Sequence, residues 1–187
     1  MKILHLTTAY KECGVSEYTN FLIQALSDHD NKLVRASEDF KVYLQDYLPD
    51  VIHIQWASGV YADHQFREFL HQARVKKIPI LMTYHNDAPG LASYKPDRIF
   101  IHQESDRFIF HDYPIHQVHL IPHGIPQLLS DVSPEPGTFA MSGFLLHHKG
   151  VLPALEAFSD LCQIHYQKKL RLILSCPLHP PNIRYSQ

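Results

Sequence analysis

The tightest constraint on the fold is a series of short apolar runs, each followed by a segment with helical spacing. Ile3, Leu4 and Leu6 form a run that starts at residue 2 and stops at Thr7-Thr8. A run this short, closed by polar residues, reads as a buried strand. Beyond Cys13-Gly14, Ser16 is the expected N-cap of a helix in which Val15, Thr19, Leu22 and Leu26 share a face. Leu33 to Ala36 reads as a short second strand. Phe40, Tyr43, Leu44, Tyr47 and Leu48 fall at i, i+3, i+4, i+7 and i+8, which predicts a helix that Pro49 ends. Val51 to Trp56 is the next strand, and Asp63 is expected to cap a helix packed through Phe66, Phe69, Leu70 and Ala73. Strands follow at Pro79 to Tyr84, Arg98 to His102 and Gln117 to Ile121, with a short helix near Glu104 to His111. Strands alternating with helices over short loops predict an α/β fold, a parallel sheet with right-handed crossovers. The runs lack strict period-two alternation, the pattern of a parallel sheet covered by helices on both faces.

Residues 126 to 137 change character. Pro126, Pro134, Pro136 and Gly137, with Ser130, Asp131 and Ser133, read as a linker. Thr138 to Met141 then reads as a strand, a helix from about Lys149 carries Val151, Leu155, Phe158 and Cys162 on one face, and Leu170 to Leu174 is a further strand. The expected organisation is a first domain over 1–126, a linker over 127–137 and the incomplete start of a second domain over 138–187.

A chain of 187 residues buries a proper core. With 17 basic against 19 acidic residues, a partner held by bulk phosphate attraction is not expected, so no nucleic acid is. Cys13, Cys162 and Cys176 form no framework, which points to reduced cytosol. Lys2 to Leu6 is too short for a signal-peptide core, and no run reaches membrane-spanning length. Arg74, Lys76 and Lys77 make a weak basic patch for peripheral contact with the inner face of a membrane; a solvated helix end is the simpler reading.

In an open parallel sheet, ligands sit beyond the carboxyl ends of the strands. Gly14 stands just before a helix N-terminus, where backbone N–H groups can receive an anion or hydroxyls. His85, with Asp87 two residues on, follows a strand and can orient or polarise a hydroxyl near neutral pH. The competing reading is a loop histidine and an Asx-turn. In Pro49-Asp50-Val51-Ile52-His53, His53 reads as structural, whereas Gln55 and Trp56 lie nearer the strand end, where an acceptor can stack. His123-Gly124 closes another strand, and a plain turn with the glycine at positive φ is the competing reading. Ser142-Gly143-Phe144 and His148-Lys149-Gly150-Val151 follow, and Lys149 at a helix start adds a cation suited to phosphate.

Taken in order, these segments resemble a GT-B glycosyltransferase of retaining family 4. The resemblance implies two Rossmann-like domains, an acceptor-side first and a donor-binding second. It places His85 and Asp87 beside the reacting sugar, Gln55 and Trp56 on the acceptor, and Gly14, His123, Gly124, Gly143, Lys149 and Gly150 on the donor and its diphosphate. The substrates implied are a nucleotide sugar and an acceptor, with no cofactor and no metal. Cys13 replaces a glycine of the family pattern, and Phe144 falls where the family often has Arg. The family's pair of glutamates eight positions apart has no counterpart among Glu12, Glu17, Glu38, Glu68, Glu104, Glu135 and Glu156. The chain is therefore expected to be either a transferase or a catalytically incomplete half of one. In the latter case a homo-oligomer or a partner chain covers the unfinished second domain. A non-enzymatic small-molecule-binding module on the same sheet is the reading from a different class. Fifteen histidines are many for this length, and His111, His116, His119 and His123 cluster. Without cysteine or carboxylate partners, and with Pro122 breaking the strand register, they read as surface residues rather than a zinc site.

Overall fold

The computed structural model describes residues 1–9, 13–39, 41–57, 61, 63–85, 94–124, 133, 135–143 and 149–176, with the side chain of Asp63 outside that set. Asp87, Phe144 and residues 127–132 and 134 of the expected linker lie outside the described residues, as does the proposed capping role of Asp63. The chain divides into two units, Met1–Pro126 and Gln127–Gln187.

The first unit is built on a parallel sheet of β1 (Lys2–Thr7), β2 (Asp30–Arg35), β3 (Val51–Trp56), β4 (Ile80–Tyr84), β5 (Arg98–Ile101) and β6 (Val118–Leu120). Its order is β2-β1-β3-β4-β5-β6. The helices are α1 (Gly14–Ala25), α2 (Tyr43–Asp46) and α3 (Asp63–Val75), with 3-10 segments at Glu104–Phe110 and Ile115–Gln117. The strand order reverses beside β1, which makes the carboxyl ends of β1 and β3 the switch point of the sheet.

The register sorts the strands into two unlike faces. Leu4, Leu6, Ile52, Ile54, Trp56, Ile80, Met82, Tyr84, Ile99, Ile101 and Val118 fill one buried cluster with Leu44 of α2, Phe66, Phe69, Leu70 and Ala73 of α3, and Phe110. On the other face His5 lies opposite His53, His53 opposite Leu81, Gln55 opposite Thr83, Thr83 opposite Phe100, and Phe100 opposite His119. That face meets α1. The expected cover on both faces is present, α1 on one and α2 with α3 on the other. The alternation exists, but both sets of β3 are buried, so polar His53 and Gln55 hide within a run that looks uniformly internal.

Two local expectations also change. The helix predicted through Phe40 to Leu48 contracts to α2, four residues long, and Leu48 at φ 50 ends it. A residue before proline is disfavoured from the helical region, so the stop comes at Leu48 itself. Cys13, not Ser16, caps α1: its backbone is extended at φ −136, and its carbonyl accepts the first helical bond from Glu17 N–H at 2.9 Å. Ser16 is instead buried and accepts from Arg35 Nη1–H at 2.9 Å.

The second unit carries one parallel β-α-β, formed by β7 (Thr138–Ser142), α4 (Val151–Ile164) and β8 (Arg171–Ser175). Gly137 enters β7 at φ 78, and a Cβ there would sit 2.9 Å from the Lys169 carbonyl oxygen, so only glycine fits. Glu135 and Arg171 brace the same corner with an ion pair at 2.8 Å. Among the described residues, no helix is long and apolar enough to cross a membrane. Of the expected basic patch, Arg74 is tied to the backbone carbonyls of Tyr94 and Lys95, which leaves Lys76 and Lys77 exposed.

Candidate functional site

The polar face of the sheet ends in a cluster at the carboxyl edge. His85 and His102 directly follow β4 and β5, and His123 lies three residues beyond β6. His85 continues the ladder by donating its backbone N–H to the Trp56 carbonyl at 3.1 Å, and Ile121 does the same to Ile101 at 2.8 Å. The rings of His85 and His102 are 5.2 Å apart between centroids, and those of His102 and His123 are 4.4 Å apart. Tyr18 of α1 packs edge-on against all three, at 5.2 Å from His85, 5.4 Å from His102 and 4.6 Å from His123.

Hydrogen bonds fix the tautomers behind this cluster. Thr83 Oγ1–H donates to His53 Nε2 at 2.7 Å, and the Gln55 amide approaches the same nitrogen at 3.4 Å. That leaves Gln55 Oε1 to accept from His85 Nε2–H at 2.7 Å. His102 Nδ1–H donates to the Ile121 carbonyl at 2.8 Å, and its Nε2 is buried without a hydrogen-bond partner among the described residues. Deeper in the face, His5 Nε2–H donates to Asn31 Oδ1 at 3.0 Å, and its ring lies 5.5 Å from that of His53.

Burial sets the charge state of this network. His85 is pushed down to about 3, first by desolvation and then by the neighbouring His102 and His123 charges. His53 is likewise pushed down to about 3, by desolvation and then by His5 and His85. Desolvation also lowers His5 and His102 and raises Tyr18. At neutral pH His85 is therefore a neutral imidazole. It donates through Nε2 to Gln55 and keeps a lone pair on Nδ1 that can accept a hydroxyl proton.

His53 carries a pH dependence with a definite sign. Its folded pKa of about 3 lies below the ordinary 6.5, so between these values the unfolded chain binds the proton and the folded chain does not. Its contribution is present above pH 6.5 and is lost as pH falls toward 3. Urea unfolding at about pH 4.5 should show wild type roughly 2–3 kcal/mol less stable than at pH 7.5 through this group. His53→Gln should flatten that dependence, and a variant with the wild-type slope would remove His53 as its source.

Other expected site residues fall in different places. Gln55 is buried in the network beside His85. Trp56 is only 6% exposed and faces the opposite way, among Tyr61, Phe66 and Tyr94, where no acceptor can stack on it. Gly14 opens α1 with nothing within 4 Å of a Cβ, and Gly124 is equally open, so neither is held to glycine by space. Neither takes the positive φ of Gly137, Gly143 and Gly150, which removes the turn argument for Gly124. In the second unit Gly150 caps α4 at φ 69, Lys149 beside it is exposed, and Gly143 takes φ 128. Sequence reasoning missed His102 and Tyr18. The apolar run places His102 at the end of its strand, although it is the first polar group beyond β5, and Tyr18 sits one helical turn from Gly14.

Neither a family model nor a curated protein matches the chain. Among solved structures, it is similar to an alpha-glucosyltransferase in complex with UDP and a 13-mer DNA containing a central A:G mismatch. The TM-score is 0.58 at 13% identity, over 95% of this chain and 67% of that one. At this identity the likeness speaks to the fold alone, an α/β Rossmann-like arrangement.

Proposed function

We propose that this chain is a glycosyltransferase, or half of one, that moves a sugar from a nucleotide-sugar donor to an acceptor with retention. One observation carries the reading. A neutral histidine, His85, is held by Gln55 at the carboxyl edge of a parallel sheet whose fold is shared with a UDP-bound glucosyltransferase. In this reading His85 orders the reacting hydroxyl through its free lone pair, with Asp87 in support. The start of α1 at Gly14, together with His123 and Gly124, contacts the donor. Lys149, with the backbone N–H groups that open α4 after Gly150 and with Gly143, holds the diphosphate, so that leaving-group charge is met by groups of the chain itself. Gln55 contributes through His85 rather than by touching the acceptor.

The acceptor class is the open part of the proposal. The near-balanced charge argues against bulk phosphate attraction, yet the similar enzyme was solved with DNA, so duplex DNA belongs among the acceptors tried. The test is calorimetry with UDP and GDP, followed by turnover of their sugars with saccharide, lipid-linked and DNA acceptors. Nucleotide binding with sugar release or transfer supports the reading. A folded chain that binds no nucleotide overturns it.

A further inference from the structure

We propose that His85, His102 and His123 form a binding site for a divalent zinc ion. Each of the three offers one ring nitrogen, and these nitrogens lie within 4.8 Å of one another. Tetrahedral coordination at about 2.0–2.1 Å brings such nitrogens to about 3.3 Å apart, so the site closes by a small inward movement. His123 is the group free to make it. It is exposed, it follows Pro122 beyond the end of β6, and among the described residues its one hydrogen bond, to the Gly124 carbonyl, is a long 3.4 Å.

The other two ligands are already oriented. His102 donates Nδ1–H to the Ile121 carbonyl at 2.8 Å, which fixes its tautomer and leaves the buried Nε2 as a lone pair unpartnered among the described residues. His85 donates Nε2–H to Gln55 Oε1 at 2.7 Å, and Gln55 is itself anchored on His53. A carbonyl or amide oxygen on the second ring nitrogen is the usual support of a metal-bound imidazole. Tyr18 packs on all three rings and limits their rotation. The donor set is three imidazoles with no carboxylate, which selects a borderline cation such as zinc over calcium or magnesium. Three protein ligands also leave a fourth position for water or a ligand oxygen.

Zinc bound here would occupy the His85 lone pair that the glycosyl-transfer reading gives to a hydroxyl, so that reading concerns the metal-free chain; the test of this site needs no nucleotide. Zinc chloride titrated into the metal-free full chain in a calorimeter should show about one tight site per chain. His102→Gln and His123→Gln should each weaken that binding at least tenfold, as expected for loss of one ligand in three. His111→Ala, which removes an exposed histidine paired with Asp112, should leave it unchanged. Circular dichroism checks that each variant folds, and exposed His123 keeps the test valid if His102→Gln does not. Cobalt substituted for zinc should give the intense visible bands of a four-coordinate site. Absence of tight binding, unchanged affinity in folded His123→Gln, or an equal loss in His111→Ala overturns the proposal.

Discussion

His85→Ala is expected to lower kcat by about 10²–10⁴-fold with the best nucleotide-sugar donor, the range ordinarily lost with a positioned acid–base group. The expectation follows from how the ring is held. Its Nε2–H is committed to Gln55 at 2.7 Å, and burial keeps it neutral at working pH, so in the metal-free chain the remaining lone pair is available to a hydroxyl. Removing the ring should leave nucleotide affinity nearly unchanged, because the proposed diphosphate contacts are made by other groups, Lys149 and the backbone N–H groups that open α4. Gln55→Leu frees the ring without removing it, and should reduce kcat by less. Steady-state kinetics on the three proteins decide the matter: wild-type kcat/KM in His85→Ala would strip the residue of its role.

Phe66→Ala should cost about 3–5 kcal/mol, enough to unfold a large fraction of a marginally stable chain. Phe66 is wholly buried in α3 and packs on Trp56, Tyr61 and Tyr94, with ring centroids at 5.6, 4.6 and 5.1 Å. Truncation removes transfer free energy and leaves a cavity that three stiff aromatic rings cannot collapse into. Urea denaturation should show the midpoint falling with the slope retained. A loss under about 1 kcal/mol would mean that the aromatic cluster repacks. Phe66→Leu, which keeps most of the volume, should recover much of the difference.

The architecture was readable because each strand is a compact apolar run and α1 and α3 carry clean helical faces. The parallel order follows from the alternation of elements alone. What the runs concealed is their two-sidedness. His53 and Gln55 sit between Ile52, Ile54 and Trp56, and burial of both sets makes the segment look homogeneous. Read at period two, Trp56 belongs with Ile52 and Ile54, which predicts its place in the core rather than on an acceptor. The histidine cluster was half legible. His85 and His123 stand out as strand-end residues, whereas His102 was absorbed into its strand by a one-residue error at the boundary. Tyr18 could not be assigned from sequence, since its position depends on which face of the sheet α1 covers. The shortened α2 turns on a single backbone angle at Leu48, which helical spacing does not report.

Four imidazoles on one side of this sheet, His5, His53, His85 and His102, are held below their ordinary titration range. Placing protons on both His5 and His53, 5.5 Å apart, would cost about 3 kcal/mol of mutual repulsion at an effective dielectric near 20. Acid therefore does not charge the folded sheet group by group. Proton uptake by these groups favours opening of the sheet, and the dependence of the unfolding midpoint on acidity reports how many protons that opening takes up.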